Sequence, residues 1–514
     1  MSERPDAGFL RPGRTVLVLI GAFLILRLLV AATLGLGVDE TYTLAGARQL
    51  SLSYFDHPPL HYWLIHGAQP WLGEGRVARL PFVLLFAGSS WLLFALTRHL
   101  FGAQAGVWTV LAFNLSAFYN YSGVGLLPDG PLQFCLLAAA LTLARGLFPE
   151  NDAPSPWRTW PLAGLWLGLA GLSKYHAILF VLGLLVYLLG FPHRRKLLAT
   201  PEPWAGALIA LGVVSPVLVW NARHHWASLA FQTGRAGPRG LDFGLVLANV
   251  AGQMVWMLPW IFVPLAIATW GGLRAGRSEE RSWFLMCLAL PTLSLFTLAP
   301  LGGNLGLPHW QMPGWLMLYP VLGAWLAGAA ALGWPRRWAL ASAAALVGLL
   351  FLIVGHAATG LGRVWFPKLL ERDPTLEVLE WTPLREELKV RGLLGREGLF
   401  VVSPHWITAG KIDHALGGAL PVVVFGSDQR QFAFRNDMAP FVGRDALVIG
   451  REDHVRRDVA ALATHFEHVE ELPAFAFGRS GMAEVRLRIL LAQNLEVPLP
   501  AAYGTAGPSS QRGP

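Results

Sequence analysis

Long apolar segments constrain this chain more than any other feature of its sequence. A transmembrane α-helix needs about 20 consecutive apolar residues, and segments that approach or exceed this length recur along the chain. They lie at 15–37, 80–97, 104–121, 131–148, 161–173, 176–191, 204–221, 245–272, 283–300, 313–333 and 338–357. We therefore predict a polytopic α-helical membrane protein with about eleven transmembrane helices, the first of them too long to be a signal-peptide core.

The composition agrees with this fold class. Hydrophobic residues make up 54% of the 514-residue chain and charged residues only 14%, whereas about 25% of an average soluble domain is charged. The net charge of +8 is carried mostly between the apolar segments, where topology and lipid headgroups account for it. Since no basic run is interleaved with aromatic residues, we expect membrane lipids as partners and no nucleic acid. Both cysteines lie in apolar segments and are expected to be core residues.

Positive charges in the loops predict the topology. If the N-terminus is cytoplasmic, the basic clusters follow the even-numbered helices, as the positive-inside rule requires. A single span over 161–191 would move the cluster at 193–196 to the outside, so we predict two helices there. This arrangement places the long loop 37–78 and everything after the last helix on the outer side.

A second type of organisation begins near residue 359. Short β-prone runs at 398–403, 420–425, 446–450 and 483–491 are separated by helix-compatible stretches at 376–390 and 455–465. This alternation predicts a small α/β domain. The predicted parts are therefore a transmembrane domain at 1–358, an extracytoplasmic α/β domain at 359–497 and a disordered tail at 498–514.

The outer loops carry acidic motifs at or near helix ends. Asp39 and Glu40 follow the first helix, Asp56 lies within Tyr54–Trp63, and Asp129 lies within Leu127–Leu132. Each has an ordinary explanation when taken alone, because Asp39 could cap a helix and Asp129 could form a turn. Their order along the chain is more specific than any one of them.

Together these motifs resemble the GT-C fold family of dolichyl-phosphate-mannose protein mannosyltransferases and bacterial lipid A aminoarabinose transferases. The matching segments are VDETY (38–42), YFDHPPLHYW (54–63), LLPDGPLQF (126–134), GLSKYHAILF (171–180) and LPHWQMPGW (307–315). The resemblance implies an inverting glycosyltransferase of the bacterial inner membrane. It would move a sugar from a polyprenyl-phosphate-sugar donor to lipid A, lipopolysaccharide or another envelope glycolipid, with the active site and C-terminal domain in the periplasm.

The resemblance also implies roles for individual residues. Asp39 would be the general base that takes the proton of the acceptor hydroxyl. Lys174 is a candidate cation for the leaving lipid phosphate, because a lysine at membrane depth is costly, although it could also snorkel to the interface. The expected substrate contacts are Glu40, Tyr54, Asp56, His57, Asp129, Lys174, Tyr175, His176 and His309.

A divalent metal is possible, since some members of the family hold one. The sequence has no compact ligand motif such as HExxH. Asp56, His57 and His309 are the candidate ligands if folding brings them together. No other cofactor is expected.

Three other functions fit parts of the sequence. A protein O-mannosyltransferase would use the same chemistry on a different acceptor. A transporter or flippase for lipid-linked sugar is less favoured, because transporters usually show repeated halves and a mid-membrane site. A scaffold that only displays the outer domain does not explain the acidic motifs.

Overall fold

The computed structural model describes residues 12–150, 154–234, 240–303, 306–366, 373–501 and 503. Helices dominate these ranges, and one five-stranded sheet lies in the C-terminal part. The α-helices are α1 (Pro12–Thr33), α2 (Val38–Ala47), α3 (Leu60–Leu72), α4 (Leu80–Phe101), α5 (Ala103–Asn114), α6 (Ala117–Ser122), α7 (Asp129–Leu147), α8 (Pro156–Ser173), α9 (Ala177–Gly190), α10 (Pro192–Arg195), α11 (Pro201–Arg223), α12 (Ala227–Gly234), α13 (Phe243–Met257), α14 (Pro259–Ala275), α15 (Glu280–Leu298), α16 (Met312–Leu316), α17 (Tyr319–Gly328), α18 (Trp334–Thr359), α19 (Gly362–Trp365), α20 (Thr382–Val390), α21 (Trp406–Leu416) and α22 (Glu452–Ala463). The strands are β1 (Phe400–Ser403), β2 (Val422–Val424), β3 (Ala446–Arg451), β4 (Phe466–Phe477) and β5 (Val485–Leu495).

Several of these helices can cross a membrane. Six helical stretches in the described ranges are long and apolar enough, and two bent helix pairs raise the number to at most eight. The six are Pro12–Thr33, Arg76–Phe101, Asp129–Leu147, Pro201–Arg223, Glu280–Gly302 and Trp334–Thr359. The protein is therefore a multi-pass membrane protein. Fewer spans meet this criterion of length and hydropathy than the eleven or so that the sequence predicted.

The difference in number comes partly from breaks that the apolar pattern did not indicate. The predicted segment 245–272 is divided into α13 and α14, which meet at a bend of 113°. Leu258 has a φ of 77° at this break, and Pro259 follows it. A residue before proline disfavours the helical conformation, and proline suits the first position of the next helix. The segment 161–191, in contrast, forms two helices, α8 and α9, as predicted.

One compact unit consists of Met1–Leu29, Leu80–Val219 and Ala230–Leu349. In it α4 packs against α5 and α7, α7 against α8, and α9 against α15. Glycines permit close helix contacts, as is usual in membranes. A Cβ atom on Gly183 of α9 would lie 2.2 Å from the carbonyl oxygen of Cys287 on α15. Cys287 and Cys135 are buried, free cysteines, as predicted.

The second compact unit consists of Val30–Arg79, Trp220–Leu229 and Leu350–Pro514. Its sheet has the order β2-β1-β3-β5-β4, in which β1 pairs in parallel with β2 and β3, whereas β5 is antiparallel to β3 and β4. Helix α2 packs on α21, so residues from the first long loop belong to the same unit as the α/β fold. The predicted domain limits at 358 and 497 stay a prediction, since the compact units divide the chain differently.

The sheet agrees with the sequence at four strands and adds one that was not predicted. Strands β1, β2, β3 and β5 overlap the predicted runs, and β4 is the addition. Most of β4 is solvent-exposed, and its sequence FEHVEELPAFAF contains three glutamates and a proline, which are rare in strands. Most of the predicted disordered tail lies outside the described residues, but Tyr503 stacks on Phe55 with ring centroids 4.3 Å apart.

Candidate active site

The adjacent carboxylates at the start of α2 have different surroundings. The Glu40 side chain is buried and accepts a hydrogen bond from the backbone N–H of Gly37 at 2.7 Å. Arg79 donates to both of its carboxylate oxygens, at 2.8 Å and 2.5 Å. Asp39, one residue earlier, is solvent-exposed. One carboxylate is thus fixed inside the protein and the other can be reached by a substrate.

Arg79 also fixes the turn that precedes Asp39. Its guanidinium donates to the carbonyl oxygens of Ala31, Leu34 and Gly35 at 2.9, 2.7 and 2.9 Å. These carbonyls belong to the C-terminal end of α1 and the turn after it, where a cation is favourable. The backbone that carries Asp39 is therefore held from the side of α1.

The motif around Asp56 is anchored inside the second unit. The Asp56 carboxylate is buried, accepts a hydrogen bond from the Tyr42 hydroxyl at 3.0 Å and lies 3.6 Å from the Arg430 guanidinium. Burial, and then the Asp56 charge, raises the pKa of Tyr42 well above its usual range, so the phenol stays protonated and donates. These contacts give Asp56 a structural role, and its predicted contact with substrate stays a prediction.

Tyr54 is also an interior residue. Its hydroxyl donates to the carbonyl oxygen of Gln49 at 2.8 Å, and its ring stacks on Tyr62 with centroids 3.8 Å apart. Burial raises the pKa of Tyr54 to about 12. Tyr54 therefore stabilises the loop, and its predicted contact with substrate stays a prediction.

His57 lies edge-on to His61, with ring centroids 5.8 Å apart. In the part of the chain that the structure describes, no three His, Cys, Asp or Glu side chains are grouped closely enough to hold a metal ion. His57 and Asp56 belong to the second unit and His309 to the first. The predicted ligand set therefore stays a prediction.

The first unit contains a buried ion pair between two predicted site residues. The Lys174 ammonium lies 3.0 Å and 3.2 Å from the two carboxylate oxygens of Asp129, and both residues are buried. Asp129 is the first residue of α7, where a negative charge is favourable, and Lys174 directly follows α8. Folding thus joins motifs that are 45 residues apart.

The remaining predicted residues of the first unit are half-buried and contact aromatic rings or apolar walls. His176 stacks on Phe296 with centroids 4.5 Å apart, and His309 lies parallel to Phe118 at 6.5 Å. Tyr175 lines an apolar cavity of about 380 Å³ between α8, α9 and α11. Their predicted substrate contacts stay predictions.

Sequence reasoning missed the cations that organise the acidic motifs. Arg79, Lys411 and Arg430 contact residues that are 39 to 375 positions away in the chain, and no local pattern encodes such pairs. Lys411 had a usable indication, because it is a single lysine within the apolar-rich helix WITAGKIDHAL. A buried lysine usually has a specific partner.

Part of the chain is similar in sequence to known proteins. Residues 56–220 match the family described as dolichyl-phosphate-mannose-protein mannosyltransferase. The lipid A galacturonosyltransferase RgtD of Rhizobium johnstonii is 27% identical over 275 residues, which are 51% of this chain and 54% of RgtD. The match thus spans about half the length of that relative, and Asp39 precedes the matched family region.

Solved structures share the fold over nearly the whole chain. ArnT from Cupriavidus metallidurans bound to undecaprenyl phosphate superposes with a TM-score of 0.63 at 16% identity, covering 92% of this chain and 97% of that one. The apo state of the same protein gives a TM-score of 0.62 at 16% identity, covering 97% and 100%. The chain therefore belongs to the GT-C fold class of membrane proteins, as its motifs predicted. Its fold is similar to that of ArnT from Cupriavidus metallidurans, and part of its sequence is similar to RgtD from Rhizobium johnstonii.

Proposed function

We propose that this protein is a glycosyltransferase that moves a sugar from a polyprenyl-phosphate carrier to lipid A or another envelope glycolipid. The observation that carries the proposal is the exposed Asp39 next to the buried Glu40–Arg79 pair. The relatives support the substrate classes, since RgtD is named as a lipid A galacturonosyltransferase and ArnT was crystallised with undecaprenyl phosphate.

In this proposal Asp39 acts as the general base. Its carboxylate takes the proton of the acceptor hydroxyl while that oxygen attacks the anomeric carbon of the donor sugar. The bond between this carbon and the phosphate oxygen breaks, and the lipid phosphate leaves with the electron pair. Attack opposite the leaving group inverts the anomeric centre. The buried Glu40 cannot take this role while both its oxygens accept bonds from Arg79.

Lys174 is the proposed cation for the lipid phosphate. An ammonium stabilises the negative charge that develops on the leaving group. Asp129 holds this ammonium at 3.0 Å and so fixes its position. The site and the C-terminal α/β fold would lie on the periplasmic side of the inner membrane, where a lipid-linked sugar meets the envelope acceptor.

Mass spectrometry of the envelope tests the function. Lipid A and envelope proteins would be compared between cells that lack the gene and cells complemented with the wild type, Asp39→Asn or Asp437→Asn. Asp437 is another exposed aspartate of the second unit and serves as the matched control. We expect one sugar to disappear from lipid A without the gene and with Asp39→Asn, and to be present with Asp437→Asn.

A different acceptor would give a different result. If the lost sugar is a hexose on envelope proteins while lipid A is unchanged, the protein is an O-mannosyltransferase, which the matched family description favours. If neither fraction changes, the proposed function is wrong.

A further inference from the structure

A buried lysine from the α/β fold contacts the turn that carries Asp39. Lys411, in the middle of α21, is only 3% exposed. Its ammonium donates to the carbonyl oxygen of Leu36 at 2.5 Å and to that of Leu379 at 3.1 Å. Leu36 directly precedes Gly37, the residue that caps α2. Lys411 thus holds the carbonyl that directly follows that of Gly35, the last one in this turn that Arg79 contacts.

Close packing of the backbone brings Lys411 to this position. A Cβ atom on Gly410, its neighbour, would lie 3.0 Å from the backbone nitrogen of Tyr42 in α2. On the other side of the turn, a Cβ atom on Gly35 would lie 2.2 Å from the carbonyl oxygen of Val378. The turn at 34–37 is therefore enclosed between α21 and the segment at 378–380.

The charges around Lys411 suit an ammonium. Burial lowers the pKa of Lys411 to about 8. The negative charges of Glu380, Glu40 and Glu377 act in the opposite direction and raise this pKa, but burial outweighs them. The positive charge of Arg79 lowers it slightly further. Near neutral pH the group is still charged in most molecules. A buried ammonium is costly unless it is hydrogen-bonded and paired, and here carbonyl oxygens and nearby carboxylates both compensate it.

We propose that Lys411 is a positioning residue for the catalytic base Asp39. Lys411 fixes the Leu36 carbonyl and therefore the direction in which the Asp39 side chain projects from the turn. This inference rests on the proposed function for the chemistry at Asp39. Its structural part, that Lys411 holds the turn, stands on the contacts alone. The competing explanation is that Lys411 only stabilises the α/β fold.

The test uses the full-length protein purified in nanodiscs. Lys411→Met removes the charge and keeps the length of the side chain, Lys411→Arg keeps a cation, and Lys389→Met is the matched control at an exposed lysine of α20. Two kinds of measurement are made on each variant. They are the kcat and KM of sugar transfer from a polyprenyl-phosphate-sugar donor to lipid A, and hydrogen–deuterium exchange of peptides covering 30–44 and 400–495.

We expect Lys411→Met to lower kcat by about 10- to 100-fold, because small displacements of a catalytic group cost about this much. KM should stay within about twofold, and exchange should accelerate in 30–44 but not in the strands of 400–495. Lys411→Arg should recover part of kcat, and Lys389→Met should match the wild type.

Other outcomes overturn the inference. Faster exchange throughout 400–495 would assign Lys411 to the stability of the α/β fold. Unchanged exchange in 30–44, or a raised KM with normal kcat, would show that it does not position Asp39. If the wild type itself transfers no sugar, the proposed function fails. The exchange data then decide separately whether Lys411 holds the turn.

Discussion

At the scale of single residues, Asp39 and Glu40 have different roles although they are neighbours in one motif. On a helix adjacent side chains point about 100° apart, so one of them faces Arg79 inside the protein and the other faces solvent. The buried partner orders the turn, and the exposed one is available for proton transfer. Substitution of Asp39 should therefore affect mainly activity, and substitution of Glu40 mainly stability.

Asp39→Asn should lower transfer by about 10²- to 10⁴-fold, the usual contribution of a general base, while the melting temperature stays near that of the wild type. Glu40→Gln should instead lower the melting temperature, because it leaves the buried Arg79 guanidinium without an anion, at a cost of about 3–5 kcal/mol. Kinetics and thermal unfolding of the purified variants measure both effects. Near-normal turnover of Asp39→Asn would mean that another carboxylate is the base.

The pair of Lys174 and Asp129 calls for a design that separates binding from folding. Lys174→Met alone leaves the buried Asp129 carboxylate without its cation, so this variant should have a lower melting temperature and a lower rate of sugar transfer. The double variant Lys174→Met with Asp129→Asn leaves neither charge unpaired, so its melting temperature should partly recover. The two substitutions should be coupled by about 0.5–3 kcal/mol in the free energy of unfolding.

Transfer should behave differently from stability in that double variant. If Lys174 stabilises the leaving phosphate as proposed, kcat stays lowered although the fold has recovered. Recovery of transfer together with stability would show that the pair is only a structural contact between α7 and α8.

The site could be predicted from the sequence only where motifs are local. The ordered acidic motifs identified Asp39 and Asp129 as site candidates, and the cost of a lysine at membrane depth identified Lys174. The cations Arg79 and Lys411 could not be assigned, since their partners are set by how α1, α2 and α21 pack. For the same reason the sequence did not reveal that Asp56 is enclosed by Tyr42 and Arg430.

At the scale of elements, a buried ionic cluster joins the end of α18 to the strands. Arg479 donates to Asp373 and Glu484, at 2.6 Å each, and to the backbone carbonyl of His356 at 3.0 Å. Burial raises the pKa of Asp373, but hydrogen bonds from Thr375 and Arg479 outweigh it and hold this pKa at about 2. The carboxylate is thus charged near neutral pH.

Arg479→Met should lower the melting temperature, because it leaves two buried carboxylates without their cation at a cost of about 3–5 kcal/mol. The stabilisation from Asp373 is present above its unfolded pKa of about 3.9 and is lost as pH falls towards the folded value of about 2. The melting temperatures of variant and wild type should therefore converge between about pH 4 and pH 2.

Arg488→Met is the control for this experiment, since Arg488 pairs with the exposed Glu471 and exposed pairs contribute little. Its melting temperature should follow that of the wild type across the same pH range. An equal loss in both variants would show that the buried cluster has no special role.

The elements themselves were largely predictable, and the exceptions have physical causes. Hydropathy located the six helical stretches that can cross a membrane, but it does not report breaks inside apolar segments. One such break is at Leu258, where the backbone has a positive φ before Pro259. Strand β4 was missed because its exposed, acidic sequence takes its structure from pairing with β5 and not from its own propensity.

At the scale of the whole molecule, the structure ties two distant parts of the chain into one compact unit. Residues Val30–Arg79 and Leu350–Pro514 belong to it, and the Arg48 guanidinium is paired with the buried carboxylate of Asp413. Parts that pack together must lie on the same side of the membrane. The chain between residue 79 and the end of α18 at Thr359 should therefore cross the bilayer an even number of times.

Reporter fusions test this topology at three positions. Alkaline phosphatase, which is active only outside the cytoplasm, should be active when fused after residue 50 and after residue 400. It should be inactive after residue 277, in a loop where Arg274, Arg277 and Arg281 favour the cytoplasmic side. Green fluorescent protein fused at the same positions should give the opposite pattern.

If the fusions after residues 50 and 400 report opposite sides, the first loop and the α/β fold cannot pack together. If both report the cytoplasm, Asp39 cannot meet a periplasmic lipid-linked donor, and the proposed site of transfer is wrong.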